Sequence, residues 1–410
     1  MKSLIPCFAV ALLAAVSIDN ARADDLSETS RFTFRGFGTL GATTQNAEGV
    51  EYRRNTSQAH GVEAREVDFA TDSIVGAQFD MQLPSNFDLL AQGVSRQRAD
   101  GDWVPDVTQA FVRWSPDESF VVRAGRIGYD IYLLAESRQV GFSYLTVRPT
   151  PEFYGQIGND HIDGGDIAST RRVGRGLLRL RAFGGAGSAE LAFADGSHSR
   201  TVATIFGGTF DYLWRGWTGR LAVVQFNYDS AKEIPLLAAS LRATQVPQAV
   251  WIADDIDKKV YKSRGLQAGI AYDEGPVLAQ IMYGTVDSDS ISGPRFAKFY
   301  GLFGYRVGEW TPFVSYASSR DRYPIRSAGL PDLPVFAPLT GAVTAIQKAT
   351  RSTQHTTSLG ARFDLSSHVD FKLQVDRTDI TDSSLIFDRR AVPGRPVELT
   401  VIAATMDFVF

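Results

Sequence analysis

Val369-Asp370-Phe371-Lys372-Leu373-Gln374-Val375-Asp376 alternates apolar and polar side chains without a break. Successive residues of a strand point to opposite faces, so this stretch has one greasy face and one wet one. The end of the chain repeats the pattern: Thr400, Ile402, Ala404, Met406, Phe408 and Phe410 fall on one face and Asp407 on the other. With turn residues as punctuation, sixteen such segments lie between Phe32 and Phe410, among them Leu177 to Gly184 and Val202 to Tyr212. The stretch Gly185 to Thr201 leaves room for a small extra hairpin. The expected fold is all-β, a transmembrane antiparallel barrel, since sixteen is an even number as single-chain bacterial barrels require.

The N-terminus points to the same compartment. Lys2 precedes an apolar run from Leu4 to Val16, and Ala21-Arg22-Ala23 offers a small-x-small cleavage site. Residues 1–23 therefore read as a signal peptide and 24–410 as the barrel. The apolar run falls short of the about 20 residues that a helix needs to cross a bilayer. Cys7, the single cysteine, lies inside that peptide, which leaves the mature chain no disulfide. Removing Lys2, Arg22 and Asp19 moves the formal charge from −4 to −5, a balance that argues against nucleic acid as a partner. Of the 42 basic residues, 34 are Arg, which suits a permanent field. No mature stretch reaches 18 apolar residues, so a membrane resident would have to be a closed barrel.

Connections alternate in length. Leu83 to Asn86, Ser115 to Glu118, Gly308 to Trp310 and Leu365 to His368 are short, and those between them are mostly long, as with periplasmic turns and outer loops. Trp114, Trp214, Trp217 and Trp310, four of the six tryptophans, sit beside the short turns, where an interfacial aromatic girdle belongs. A chain ending on Phe408 and Phe410 resembles the last strand of bacterial outer-membrane proteins, which the barrel-assembly machinery reads.

The connection after the fifth strand runs from Gly128 to about Asp160. It contains Tyr129-Asp130-Ile131-Tyr132-Leu133-Leu134-Ala135-Glu136-Ser137-Arg138, then Tyr144 and Val147-Arg148-Pro149-Thr150-Pro151-Glu152-Phe153-Tyr154-Gly155. The mature chain resembles general bacterial porin-like channels, specifically a porin-like group of proteobacterial outer-membrane proteins without assigned substrate, most strongly at Gly36 to Thr43 and Val107 to Gly155. That resemblance implies a barrel whose third outer loop folds into the lumen. It further implies passive passage of ions or small polar solutes, lipid and lipopolysaccharide as surroundings, and a homotrimer. Asp130, Glu136, Glu152 and Asp160 would supply negative groups of the loop, with Arg138 and Arg148 tying it to itself or to the wall. Parity decides the opposing wall. Leu178, Leu180 and Ala182 take the lipid face, leaving Arg179 and Arg181 inside, because an outward Arg at the midplane costs roughly 2–4 kcal/mol. The same parity turns Arg96, Arg113, Arg123, Arg306 and Arg362 inward. Arg113, Arg123, Arg179 and Arg181 are the expected basic side of a pore constriction whose transverse field orients dipolar solutes. The competing reading is that loop residues only hold the loop's fold and that wall arginines are merely salt-bridged.

Other motifs are weaker. Gly36, Gly38 and Gly41 fit a dinucleotide fingerprint but lie within the first strand and open no helix, so they read better as positions where strand or loop backbones approach closely. Asn159, Asp160, His161, Asp163 and Asp166, or Asp254, Asp255 and Asp257, or Asp287 and Asp289, lack strict ligand spacing for a metal. No cofactor is expected. The histidines have no serine or cysteine companion at motif spacing, which sets a barrel lipase or protease behind a pore. A TonB-dependent uptake barrel would need 22 strands and a plug. A structural barrel closed by its own loops is the remaining alternative.

Overall fold

In the computed structural model, residues 32–156, 161–230, 234–390 and 395–410 are described; the expected signal peptide and Asp160 lie outside them. Among the described residues eighteen strands run in chain order. They are β1 (Phe32–Gln45), β2 (Val50–Tyr52), β3 (Ile74–Leu83), β4 (Phe87–Ser95), β5 (Asp106–Asp117), β6 (Phe120–Gly128), β7 (His161–Val173), β8 (Gly176–Ala192) and β9 (His198–Trp214). There follow β10 (Trp217–Asp229), β11 (Val260–Glu274), β12 (Val277–Ser288), β13 (Phe296–Tyr305), β14 (Trp310–Asp321), β15 (Ser352–Asp364), β16 (Val369–Ser383), β17 (Ile386–Asp388) and β18 (Val397–Val409). Sixteen of them close one antiparallel barrel in which β1 pairs with both β3 and β18, so no sheet edge is left unpaired. Short β2 and β17 pair outside it.

The opening stretch shows why the chain closes this way. On β16, Phe371, Leu373 and Val375 are 40–56 % exposed on the outer face, while Asp370, Lys372, Gln374 and Asp376 are buried on the inner one. That is the reverse of a water-soluble barrel. It places an apolar outer wall where lipid can meet it and the polar groups inside. Tight turns close one end: Gly174 and Gly275 take left-handed φ of 59° and 62°, which glycine adopts without strain. The expected girdle forms beside these turns, with Trp114 packed on Phe87 and Phe120, Trp217 on Tyr272 and Trp310 on Phe363.

Three features differ from the sequence reading. Gly185 to Thr201 holds no separate hairpin; it is the upper part of β8 and β9, which pair as far as Ala192 and His198. The long connections after β10 and β14 are not plain loops but carry helices Ile234–Ala243, Pro247–Ile256 and Ala337–Lys348, whose apolar faces pack together around Leu241, Ile252 and Val343. Gly36 and Gly38 are covered less by backbone than by aromatic rings. A Cβ there would lie 2.1 Å from Phe410 and 2.4 Å from Phe408, so the terminal aromatics close over the first strand.

Candidate pore constriction

The segment of residues 129–156, which follows β6, runs across the barrel. Its first part holds to one wall: Asp130 accepts a hydrogen bond from Arg181 on β8 at 2.7 Å and another from Arg220 on β10, which also donates to the Tyr132 carbonyl at 2.8 Å. Glu136 accepts from Arg123 on β6 at 2.8 Å and from Arg181 at 3.0 Å. The middle of the segment is pinned to the other side. Lys372 on β16 donates to the Gly141 carbonyl at 2.8 Å, and Arg362 on β15 donates to the carbonyls of Phe142 and Tyr144 at 2.7 and 3.2 Å. In the closed ring β8 and β16 stand eight places apart of sixteen, which is diametrically opposite.

Beyond that crossing, Arg148 is 2 % exposed and donates to Asp72 at 2.6 and 2.7 Å and to Asp376 at 2.9 Å, which fastens the segment to β16 and to the approach of β3. Internal ties complete the strap: the Tyr144 hydroxyl donates to the Leu134 carbonyl at 2.7 Å, and that of Tyr154 to the Leu133 carbonyl. Leu134 itself sits at φ 61°, a left-handed conformation costly for a leucine and held here by its neighbours.

On the first wall three guanidiniums, of Arg123, Arg181 and Arg220, face four carboxylates, of Asp130, Glu136, Asp166 and Asp211. Burial alone would raise the Glu136 carboxyl, but Arg181 and Arg123 outweigh it and hold it at about 2. Arg179 stands opposite Asp211 in register, yet that carboxylate is engaged by Arg220 at 2.6 and 2.9 Å. Among the described residues Arg179 therefore has no ion-pair partner.

No protein-family model matches the chain, and no curated protein matches its sequence. Solved structures do match. An anion-selective porin from Comamonas acidovorans shares 12 % identity over 92 % of this chain and 99 % of that one, with a TM-score of 0.51. OmpF of Salmonella typhi, in complex with daunomycin, shares 13 % over 92 % and 97 %, with 0.52. The outer-membrane channel DcaP of Acinetobacter baumannii shares 10 % over 94 % and 99 %, also with 0.52. The chain has the porin fold.

Within that porin fold the expected site residues separate into groups. Arg123, Arg181, Asp130 and Glu136 meet in one network, and Arg179 lies beside it. Arg113 faces inward but pairs with Asp88 at 2.8 Å close to the short-turn end. Arg138 is buried within the strap. Glu152, with no exposed surface, accepts from Thr150, Gln354 and Thr356 at 2.5 to 2.8 Å and so anchors the strap to β15. Arg220, Asp166 and Asp211 complete the network and were missed as constriction residues. Parity could have found Arg220, since Leu221 and Val223 beside it are 57 and 55 % exposed to the outside. Among the described residues the carboxylates weighed for metal are engaged elsewhere: Asp163 by Arg126, Asp166 by Arg123, Asp254 and Asp257 by Arg242, Asp255 by Lys258, Asp287 by Arg322 and Asp289 by the Lys262 N–H.

Proposed function

We propose that this protein is a passive channel of the bacterial outer membrane, exported behind residues 1–23 and carrying ions and small polar solutes past a charged constriction. The observation that carries this reading is the strap itself, which holds Asp130 and Glu136 against Arg123, Arg181 and Arg220 inside a closed barrel. Charges aligned across a narrow lumen orient dipolar solutes and disfavour bare apolar ones. Three arginines of this wall are neutralised by carboxylates, so among its described residues Arg179 is the cation left to act on a passing ion. Phe408 and Phe410 serve as the signal for the barrel-assembly machinery, lipid and lipopolysaccharide surround the outer wall, and the working unit is a homotrimer.

The test is reconstitution in a planar bilayer with a salt gradient. Stepwise conductance and a reversal potential that moves toward cation preference on Arg179→Glu support the reading. A silent bilayer with demonstrably inserted protein would leave a structural barrel closed by its loops.

A further inference from the structure

Above the strap, between Tyr132 and the wall built by β10 to β13, lies a cavity of about 140 Å³ lined mainly by carbon. It is an aromatic chamber. Phe226 stacks on Tyr228 at 5.5 Å with ring planes 10° apart, and Tyr228 stacks on Tyr261 at 5.1 Å and 22°. A water-filled pore has no need of such a ladder on its inner face, where the strand pattern calls for polar groups.

Two polar side chains in this chamber lack partners. Lys298 on β13 is 2 % exposed; its Nζ lies 4.1 Å from the centroid of the Phe296 ring, Glu152 and Asp321 act on it only through space, and among the described residues it makes no direct ion pair or hydrogen bond. Gln267 on β11 is 6 % exposed, and neither its amide nitrogen nor its oxygen is hydrogen-bonded. Leaving such groups unmet in an apolar place is costly, more so for a charge. The sheet brings the two together. Gln267 pairs in register with Gly284, and Gly284 with Lys298, so the glycine leaves a notch between the ammonium and the amide, with the Phe153 ring at its edge. A Cβ at Gly284 would make ordinary contact with the Leu266 carbonyl oxygen and with the edge of the Phe153 ring, both 3.6 Å away, so the glycine is what keeps this position from being filled.

We propose that this chamber is a binding site for an aromatic monocarboxylate, which deepens the channel reading by naming a solute class. The carboxylate sits in the notch over Gly284, accepting from the Lys298 ammonium and the Gln267 amide, a charge-assisted pair of bonds. Its ring lies against the Phe226, Tyr228 and Tyr261 ladder, where offset stacking adds to burial. One cation matches one negative charge, which favours a carboxylate over a phosphate dianion. The chamber adjoins a second cavity of about 360 Å³ among the outer loops, since Thr56, Leu191, Ala349 and Ser384 line both.

Benzoate is the probe, measured by saturation-transfer NMR on the full barrel in phosphatidylcholine nanodiscs, with empty discs as blank and heat-shifted gel migration as the folding control for each variant. Saturable binding is expected, weakened about ten- to a hundredfold by Lys298→Met, as fits loss of a charged hydrogen bond. Lys298→Arg should retain binding. Gly284→Leu should abolish it by filling the notch while leaving the lysine in place. Benzyl alcohol, neutral but of the same shape, should bind far more weakly than benzoate. The proposal is overturned if benzoate does not saturate, if Lys298→Met binds it as well as the parent, or if benzyl alcohol matches it. Binding and conductance fail separately: a conducting barrel blind to benzoate removes this site and keeps the channel, and a silent barrel that binds through Lys298 does the reverse.

Discussion

At the residue scale, Arg148 and Glu136 hold the strap in different ways. Arg148 neutralises Asp72 and Asp376 where neither can reach water. Arg148→Ala strands two buried carboxylates, and removing one partner of a buried pair costs about 3–5 kcal/mol. The expected result is a folded barrel with a loosened strap, read as noisy single-channel current and faster amide exchange over residues 141–156. Glu136 makes the strap acid-sensitive. Its folded value of about 2 lies below its ordinary 4.5, so its contribution is complete above about 4.5 and is lost as pH falls through about 2. Quiet conductance should therefore persist to about pH 4 and turn to flicker on further acidification. Glu136→Gln should flicker at every pH, and a pH-independent parent channel would contradict this role. Arg181→Glu is a poor selectivity probe, because Arg181 bridges Asp130, Glu136 and Asp166 at once. Arg179→Glu changes the free charge alone and should shift permeability toward cations while the strap stays in place.

At the element scale, the strap is tied to side chains of opposite walls without contributing to the barrel ladder, and the proposed function makes it the narrowing of the lumen. Deleting Tyr132 to Tyr144 should raise single-channel conductance and leave the heat-shifted gel band intact, since no strand pairing is lost; unchanged conductance would move the narrowest point elsewhere, first to the connection from Asp321 to Arg351. Strands were legible in the sequence because a barrel wall between lipid and lumen imposes strict period two, seen at its clearest from Val369 to Asp376. The inward Arg123 and Arg181 followed from that same parity. What parity cannot supply is distance. Nothing in the sequence says that Lys372 and Arg362 reach the carbonyls of the strap, or that Glu152 meets neutral threonine and glutamine rather than an arginine. Helices over the outer mouth escaped notice because their packing partners come from three separate connections, including Ile291 after β12 and Ala328 after β14. Gln267 and Lys298 were equally hidden, since only strand register sets them on either side of Gly284.

At the scale of the whole molecule, closure accounts for both stability and placement. A ring with every strand paired gives detergent no edge to open, so the purified protein should migrate at a different apparent mass before and after boiling; identical migration would count against closure. Phe410 reinforces the seam, where its backbone N–H and carbonyl exchange hydrogen bonds with Gly36 at 2.9 and 2.8 Å and its ring covers that glycine. Removing Phe410 should lower the yield of the heat-shifted form in cells. The central claim is that a charged strap inside this barrel governs a conducting path. Reversal potential across a planar bilayer in a salt gradient tests it most directly, with parent and Arg179→Glu compared at neutral pH. Stepwise current in both, with the variant displaced toward cations, is the predicted result. A barrel that inserts and passes no current, or two reversal potentials that coincide, would contradict it.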